Sequence, residues 1–589
     1  MNSWPIRDAT SKVYPLYSRA NVGEIFPDPI SPLNASAGFQ YNLEAGWRDA
    51  FVNCGVWDHD IYDTAVDHNI IPAFDSYLYI NMSLMRLFGV RVPGMGPEAV
   101  DRQYFGDMPG IPSYDSERRD FDDNPQYQAK AGAWLMEKVL GATSLAEYDD
   151  DRTLVLKIRG ERPGIAALTD AELRRRITSF DDVLRPLFQR HIESSLKCGV
   201  CLGALAQIAQ AIGRPELALV LVSGIGDIDS TGPSTRMWTL SRSIRQSAAL
   251  TALFDAGIAD LYERIKVSDD PAVAAFGNQL DAFLTEWDFR GPAEWEIRAL
   301  TWGLKPSLAL ATIDRLRNVD DGEAPSAKNA GRAADREAAA QTVRELLAGD
   351  ANAAAGFEAA LAAGSLWMRG RERSRTTAAM MMHELRLPAL ELGRRGTAAG
   401  YLDSPQQIFM LFRDELDDYL ADPAAFTQRL REREQTYLAL FDVVPPFVVN
   451  GVAPHSEQWA RRGAQASTPA EAGEVITGVS GCTGIARGRA RVITDPDDPS
   501  ALEPGEILIA PITDPAWTPL FVAASAVVVD VGAPFSHAAI VSRELGIPCV
   551  VSVTEASRRI GDGALIEVNG DTGTVTILEG AVAGRGSRS

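Results

Sequence analysis

One histidine stands where phosphorus chemistry is feasible. The run Ser525-Ala526-Val527-Val528-Val529-Asp530-Val531-Gly532 reads as a strand, and a Gly-Ala-Pro turn ends it. Ser536 suits a helix N-cap, which puts His537 in the first turn of the helix that follows. Free backbone N–H groups and the positive end of the helix dipole lie there. A neutral imidazole in that place is a nucleophile towards phosphorus. Once phosphorylated, its new negative charge would be held by the helix N-terminus, an effect of roughly 0.3–1 kcal/mol. The plain alternative is a histidine that only hydrogen-bonds near a cap. A second cluster is Arg371-Glu372-Arg373-Ser374-Arg375. On a helix, Arg371 and Arg375 share a face one turn apart, with Glu372 adjacent. Two guanidinium groups suit the oxygens of a moving phosphoryl group, and a carboxylate suits the proton of an attacking hydroxyl. The alternative is a solvated charged face.

Two lesser candidates carry less. Cys198-Gly199-Val200-Cys201 has the spacing of a metal or redox pair, but it sits in an apolar helical run without a second pair, so buried small hydrophobes are expected. His59 and His68, with Asp58, Asp60 and Asp63, lie in a loop at a spacing that favours a structural role, so no metal site is expected. There is no Gly-Lys dipeptide and therefore no Walker A loop.

The elements that must position these residues fall into zones. Residues 1–120 are rich in Pro, Gly, Asn and Asp with aromatics between them, and predict ordered loops with short helices. Residues 121–450 show apolar spacing of three and four, which predicts helices, with a polar connection over 318–340 leading into one of them. A flexible linker is expected over 451–475. Short strands separated by Gly, Pro and Asp follow over 476–578, with one helix, Ser536 to Leu545, ended by Gly546 and Pro548. Residues 579–589 have too little apolar content to order themselves.

Composition narrows the function. The 57 Lys and Arg against 79 Asp and Glu give a net charge of −22, a poor match for nucleic-acid phosphates and for anionic membranes. Five scattered Cys make no disulfide framework. The N-terminal residues lack a basic stretch followed by an apolar core, and no run reaches the uninterrupted apolar length of a bilayer span. A cytoplasmic protein is expected.

Residues 476–578 resemble the swivelling phosphohistidine domain of the family that includes phosphoenolpyruvate synthase, pyruvate phosphate dikinase and rifampin phosphotransferase. The resemblance is carried by Thr513-Asp514-Pro515-Ala516-Trp517-Thr518-Pro519-Leu520, by Gly532-Ala533-Pro534-Phe535-Ser536-His537-Ala538-Ala539-Ile540-Val541 and by Arg543-Glu544-Leu545-Gly546-Ile547-Pro548. It implies that His537 carries a phosphoryl group between two active sites, with Gly532, Ser536, Thr513 and Trp517 supporting the phosphate or the hinge. Upstream, Ser18-Arg19-Ala20-Asn21-Val22-Gly23-Glu24-Ile25 is similar to the opening of the acceptor-binding domain of rifampin phosphotransferase. Arg290 and Glu294 resemble a paired Arg and Glu of that domain, and Arg371 to Arg375 its Arg-Glu-x-x-Lys. Arg375 replaces the lysine, so the charge persists but proton transfer from it does not.

The fold class implied is α+β and multidomain: a large, mainly α-helical acceptor-binding domain with a small C-terminal β/β/α swivelling phosphohistidine domain. Arg371, Glu372 and Arg375 would act with His537 in catalysis, and Arg290, Glu294, Arg19 and Asn21 in substrate binding. The pattern contains no ATP-grasp domain and no pyruvate-binding barrel, so ATP and Mg²⁺ are expected on a separate ATP-grasp subunit that charges His537. That split organisation resembles phenylphosphate synthase and cresol-phosphorylating systems, which implies a small aromatic hydroxyl compound as acceptor. Phe51, Trp57, Tyr77 and Tyr79 are candidates to line its pocket, with a place in the core as the commoner alternative for aromatics. A larger hydroxylated compound, as in rifampin phosphotransferase, is the alternative acceptor. A non-catalytic phosphocarrier is the alternative class. A linker of about 25 residues has an r.m.s. span of roughly 25–30 Å, enough for shuttling.

Overall fold

A computed structural model describes residues 6–106, 108, 110–462, 468–494, 502–513, 517–532, 536–553 and 555–580, except the side chains of 323, 326–329 and 519. The chain forms two units, one of Met1–Cys201, Ala293–Ala299 and Ala362–Ala466, the other of Leu202–Pro292, Leu300–Leu361 and Ser467–Ser589. The α+β character is plain: long helices fill most of the chain before residue 440, and a mixed sheet follows.

In the first unit, buried arginines order the Pro- and Gly-rich loops. Arg91 donates to the carbonyl oxygens of Val56 (2.6 Å), Phe121 (2.6 Å) and Asp122 (3.1 Å). Arg86 meets the carboxylates of Asp101 and Glu117 at 2.8 and 2.9 Å. A guanidinium has five donors, so one side chain closes several loops whose carbonyls lack a helix or strand partner. The zone also holds longer helices than expected, Phe39–Asn53 and Met82–Arg91. Its aromatics are core rather than pocket lining. Phe51, Trp57, Tyr77 and Tyr79 are all fully buried, and the Tyr77 and Tyr79 hydroxyls donate to the carbonyls of Leu440 and Pro446. A small antiparallel sheet joins Ile80–Asn81, Leu16–Ser18 and Val448–Asn450 in that order.

Two long helices dominate the catalytic candidates' surroundings, Asp181–Ala211 and Ala351–Ala398. Among the described residues, Asp170–Ala211 is long and apolar enough to cross a membrane by length and composition, although its apolar run is interrupted. Half of its apolar window is nevertheless buried inside the fold, with Leu184, Leu187, Phe188 and Cys201 in the core.

The second unit contains the helices Gly232–Arg245, Pro271–Trp287, Pro306–Leu316 and Pro325–Leu346 and the C-terminal sheet. The polar connection expected over 318–340 is helical from Pro325. Its alanines have the highest helix propensity, and Pro325 takes the first helical position, where no N–H is needed. The sheet runs in the order Val475–Thr477, Thr574–Glu579, Leu565–Asn569, Ile485–Val492, Ile507–Ala510, Ala526–Val529, Cys549–Val551, Val479–Cys482. Ile485–Val492 through Cys549–Val551 are parallel neighbours, and the outer pairings are antiparallel. Ile507, Ile509, Val528, Val550, Ile566, Val568 and Ile577 form its core.

The 25-residue coil expected over 451–475 is not one element. Ala453 and Trp459 pack into the first unit, where the Trp459 indole meets the Tyr77 ring edge-on at 5.5 Å. Ala460–Arg461 pairs with Val443–Val444. At the other end, the Ala470 and Gly473 amides donate to the carbonyls of Arg559 and Ile577 in the second unit. Residues 463–467 and the tail from 581 lie outside the described residues.

Asp530, at the end of the strand Ala526–Val529, receives the Ser557 amide at 2.7 Å and the Ser557 hydroxyl. Burial pushes its carboxyl up to about 6, against the pull of those hydrogen bonds. A carboxyl raised above its unfolded value contributes stability below pH 4 that is lost as pH rises through 6. The sheet domain should therefore lose on the order of 2 kcal/mol between pH 4 and 7 from this group. Asp530→Asn should flatten that slope in thermal melts; an unchanged slope would remove Asp530 from the account.

Candidate functional site

His537 is the first residue of the nine-residue helix His537–Leu545. Ser536 caps it, its hydroxyl accepting from the Ala539 amide at 3.3 Å, and Gly546 ends it in the left-handed conformation at φ 67°. The imidazole is 6% exposed. Its Nδ1 lies 3.3 Å from the Thr513 hydroxyl and its Nε2 3.0 Å from the Thr518 hydroxyl. The Phe521 ring stands edge-on at 5.8 Å. In a neutral imidazole one nitrogen donates and the other accepts. Each hydroxyl can donate or accept, so the pair holds the ring between them in either neutral tautomer. Gly532 allows the backbone to close here, because a Cβ would stand 2.9 Å from the Val551 side chain and 3.2 Å from the Ser536 hydroxyl. Trp517 is buried just before the short helix Thr518–Ala523. The quoted residues Asp514 to Ala516 and Ala533 to Phe535 lie outside the described residues. Thr518→Val removes the contact at Nε2. It should slow the phosphorylation of His537 about tenfold, the size of one lost hydrogen bond. Rapid-quench labelling checks this, and an unchanged rate would make Thr518 a bystander.

Arg371, Glu372 and Arg375 lie on the helix Ala351–Ala398, in the first unit. They are not on a solvated face: Glu372 and Arg375 are buried, and Arg371 is nearly so. Arg371 Nη1 holds Glu372 Oε1 at 2.5 Å. His191, on the helix Asp181–Ala211, faces the same turn. Its Nδ1 is 3.1 Å from the Ser374 hydroxyl, which in turn donates to the Arg371 carbonyl at 3.0 Å. The imidazole packs edge-on against Trp295 at 5.4 Å. Burial, then the charges of Arg371 and Arg375, hold His191 well below the usual imidazole range, so it is neutral at physiological pH. Tyr104 shares this field. Burial pushes its hydroxyl up, Arg371 opposes that and Glu24 adds to it. The site thus combines two guanidinium groups, a carboxylate, a neutral imidazole and a phenol hydroxyl, a set able to compensate phosphoryl charge and to take a hydroxyl proton.

Of the expected substrate-binding residues, Arg19 is engaged elsewhere. Its guanidinium donates to the carbonyls of Leu78 (3.0 Å), Phe26 (2.6 Å) and Pro27 (3.2 Å) and lies 4.8 Å from the Tyr77 ring centre. These bonds make it a group that closes the surrounding loops. Asn21 precedes the short helix Val22–Ile25 at φ 66°, a turn position that Asn tolerates better than most side chains. Arg290 is buried in the second unit, 5.1 Å from the Phe289 ring centre. Glu294 is buried in the first unit, where its carbonyl accepts from Arg386 at 2.7 Å. His68 pairs with Asp8 at 2.8 Å and His59 approaches Asp49 at 3.7 Å, so the loop histidines serve different carboxylates. Cys198 and Cys201 are both buried in the helix Asp181–Ala211.

Sequence reasoning missed His191, Tyr104 and Glu24. His191 is 183 residues from Ser374 and carries no local motif. Glu24 was within reach, since it lies in the quoted stretch Ser18 to Ile25.

Comparison with known proteins adds to this geometry. Residues 191–372 match the model of the rifampicin phosphotransferase fourth domain, and residues 502–573 that of the PEP-utilising enzyme mobile domain. The chain is 29% identical over 588 residues to an uncharacterised protein of Mycobacterium tuberculosis, covering 96% of this chain and 62% of that protein. It is 25% identical over 600 residues to the prodigiosin synthesizing transferase PigC of Serratia marcescens, covering 98% and 65%. It is 37% identical over 180 residues to a rifampicin phosphotransferase of Streptomyces sviceus, covering 31% and 20%. The chain spans about three-fifths of the length of the first of these relatives.

Proposed function

Because the chain belongs to the PEP-utilising enzyme family, we propose that it is the phosphohistidine-carrying and acceptor-binding component of an ATP-dependent, dikinase-type phosphotransferase. The observation that carries this is His537: a capped helix start, two hydroxyls flanking the ring nitrogens, and a position inside the stretch that matches the mobile domain. In the first half-reaction an ATP-grasp partner passes the β-phosphoryl group of ATP to an imidazole nitrogen. AMP leaves, and the γ-phosphate is released as inorganic phosphate with uptake of one water. In the second, an organic hydroxyl attacks the phosphorus in line, the P–N bond breaks, and the imidazole returns neutral. Arg371 and Arg375 offset charge on the transferring oxygens. Glu372 orients the hydroxyl or takes its proton. ATP and Mg²⁺ are assigned to the partner.

The acceptor we propose is a phenol or alkylphenol. The first unit contains a cavity of about 170 Å³ bounded by Phe26, Pro29, Glu296, Arg298, Tyr437 and Phe441. Its size suits one aromatic ring, since a cavity of about 150 Å³ takes benzene. Glu296 and its neighbour Trp295 connect that cavity to His191 along the chain. A larger hydroxylated acceptor is the second reading, favoured by the match of residues 191–372 to a rifampicin phosphotransferase domain.

The test combines the chain, an ATP-grasp partner and β-labelled ATP, followed by mass spectrometry under alkaline conditions. Label on His537 that moves to a supplied phenol supports the whole reading. Label that stays on His537 with every phenol and passes to a larger hydroxylated compound selects the second. Label only on another residue overturns both.

A further inference from the structure

The helix that starts at His537 is gripped at its other end. Glu544, one residue before the helix terminus, is 2% exposed, and its carboxylate accepts from the amides of Ile225 (3.2 Å) and Gly226 (3.4 Å). Those amides belong to a turn in which Gly224, Gly226 and Asp227 all have positive φ, at 58°, 70° and 55°. Successive amides in such a turn converge on one anion. The turn sits close against the helix Pro325–Leu346, since a Cβ on Gly224 would stand 2.5 Å from the Ala333 amide nitrogen. From that same helix, Arg332 Nη2 donates to the Gly546 carbonyl at 2.9 Å. A cation on a helix C-terminus also meets the negative end of its dipole. Turn and arginine thus make a two-part seat, formed by residues 224–227 and 332, for the end of the histidine helix. With a rise of about 1.5 Å per residue, the grip lies roughly 10 Å along the helix axis from His537 and does not touch its ring.

We infer that Glu544 is a positioning residue: its carboxylate, seated on the Ile225 and Gly226 amides beside Arg332, holds the phosphohistidine-bearing module docked with His537 covered, and release of that grip exposes the imidazole. This rests on the reading of His537 as a phosphoryl carrier. The helix Thr518–Ala523 that flanks the buried ring packs against Gly232–Arg245 and Pro306–Leu316, outside the module, so the ring cannot meet a phosphoryl donor while the seat is occupied. The seat therefore sets how often His537 is available. Glu544 supplies the part of the grip that a helix lacking a carboxylate there would not have.

The full chain without any partner suffices to test it. Potassium phosphoramidate phosphorylates accessible imidazole nitrogens with loss of ammonia. The rate at His537 is followed by peptide mapping against the five other histidines as internal references. Glu544→Ala should raise the His537 rate about tenfold, the equivalent of the hydrogen bonds removed, with the other rates unchanged. Glu544→Gln, whose amide oxygen still accepts, should fall between. Arg332→Ala lies outside the module and should accelerate the same residue. It decides the matter if the Glu544 variants fold poorly, as judged by circular dichroism. Hydrogen exchange over residues 224–231 should rise in parallel. Equal His537 rates in wild type, Glu544→Ala and Arg332→Ala would overturn the proposal. Because the reagent reacts with any accessible imidazole whatever its role, that result would leave the carrier reading standing. Failure of ATP-driven labelling would leave the seat standing.

Discussion

His537→Ala leaves a chain that takes up no phosphoryl label from β-labelled ATP and an ATP-grasp partner. The loss is complete rather than partial, because the covalent intermediate has no other atom to form on. Two of the other histidines are poor substitutes: His191 is buried under two arginine charges, His68 is paired with Asp8, and neither stands at a helix start. His537→Gln makes the sharper variant. An amide keeps hydrogen-bonding capacity towards Thr513 and Thr518, so the fold of the sheet domain persists while the nucleophile is gone. Retention of label by either variant, at any residue, would move the chemistry elsewhere in the chain.

The second large effect falls on the other half-reaction. Arg371→Ala should leave His537 chargeable at the wild-type rate and slow transfer to the acceptor by about 10²–10³-fold, the usual result of removing one preorganised group that stabilises transition-state charge. Glu372→Ala should do the same, and the double variant should lose little more, because Arg371 and Glu372 are held together at 2.5 Å and act as a unit. Arg375→Lys keeps the charge and should be the mildest of the set. Single-turnover transfer from pre-charged protein separates these outcomes from any effect on charging. Native transfer in Arg371→Ala would remove this helix from the reaction.

What could be read from the sequence depended on how local the physics was. The histidine helix is written into eleven consecutive residues, from the Ser536 cap to the left-handed Gly546, and its bounds matched the expectation. The sheet around it followed from short β-branched runs between Gly and Pro. Polar composition misled at two places. Trp459 and Ala453 are buried in a stretch rich in Gln, Arg and Ser, where two apolar groups are enough to anchor the chain. Residues 325–346 carry many charges yet form a helix, because alanine propensity needs no apolar face. The resemblance at Arg19 gave no sign that its guanidinium donates to three carbonyls of the loops around it. The neighbourhood of Arg371 was only half legible. The arginines and the glutamate stand together on one helical turn, whereas His191, Tyr104 and Glu24 come to it from remote segments that no spacing rule connects.

The sheet domain opens with Val475–Thr477 and closes with Thr574–Glu579, and these two strands lie side by side in register from Thr477 against Thr574. Its entry and exit points therefore share one edge. A unit built this way can be cut out and spliced into a foreign loop without stretching the host backbone, and its own pairing would zip the splice shut. Transplanted whole, it would bring Thr513, Thr518 and Phe521 along with its imidazole into a new enzyme as a portable cartridge.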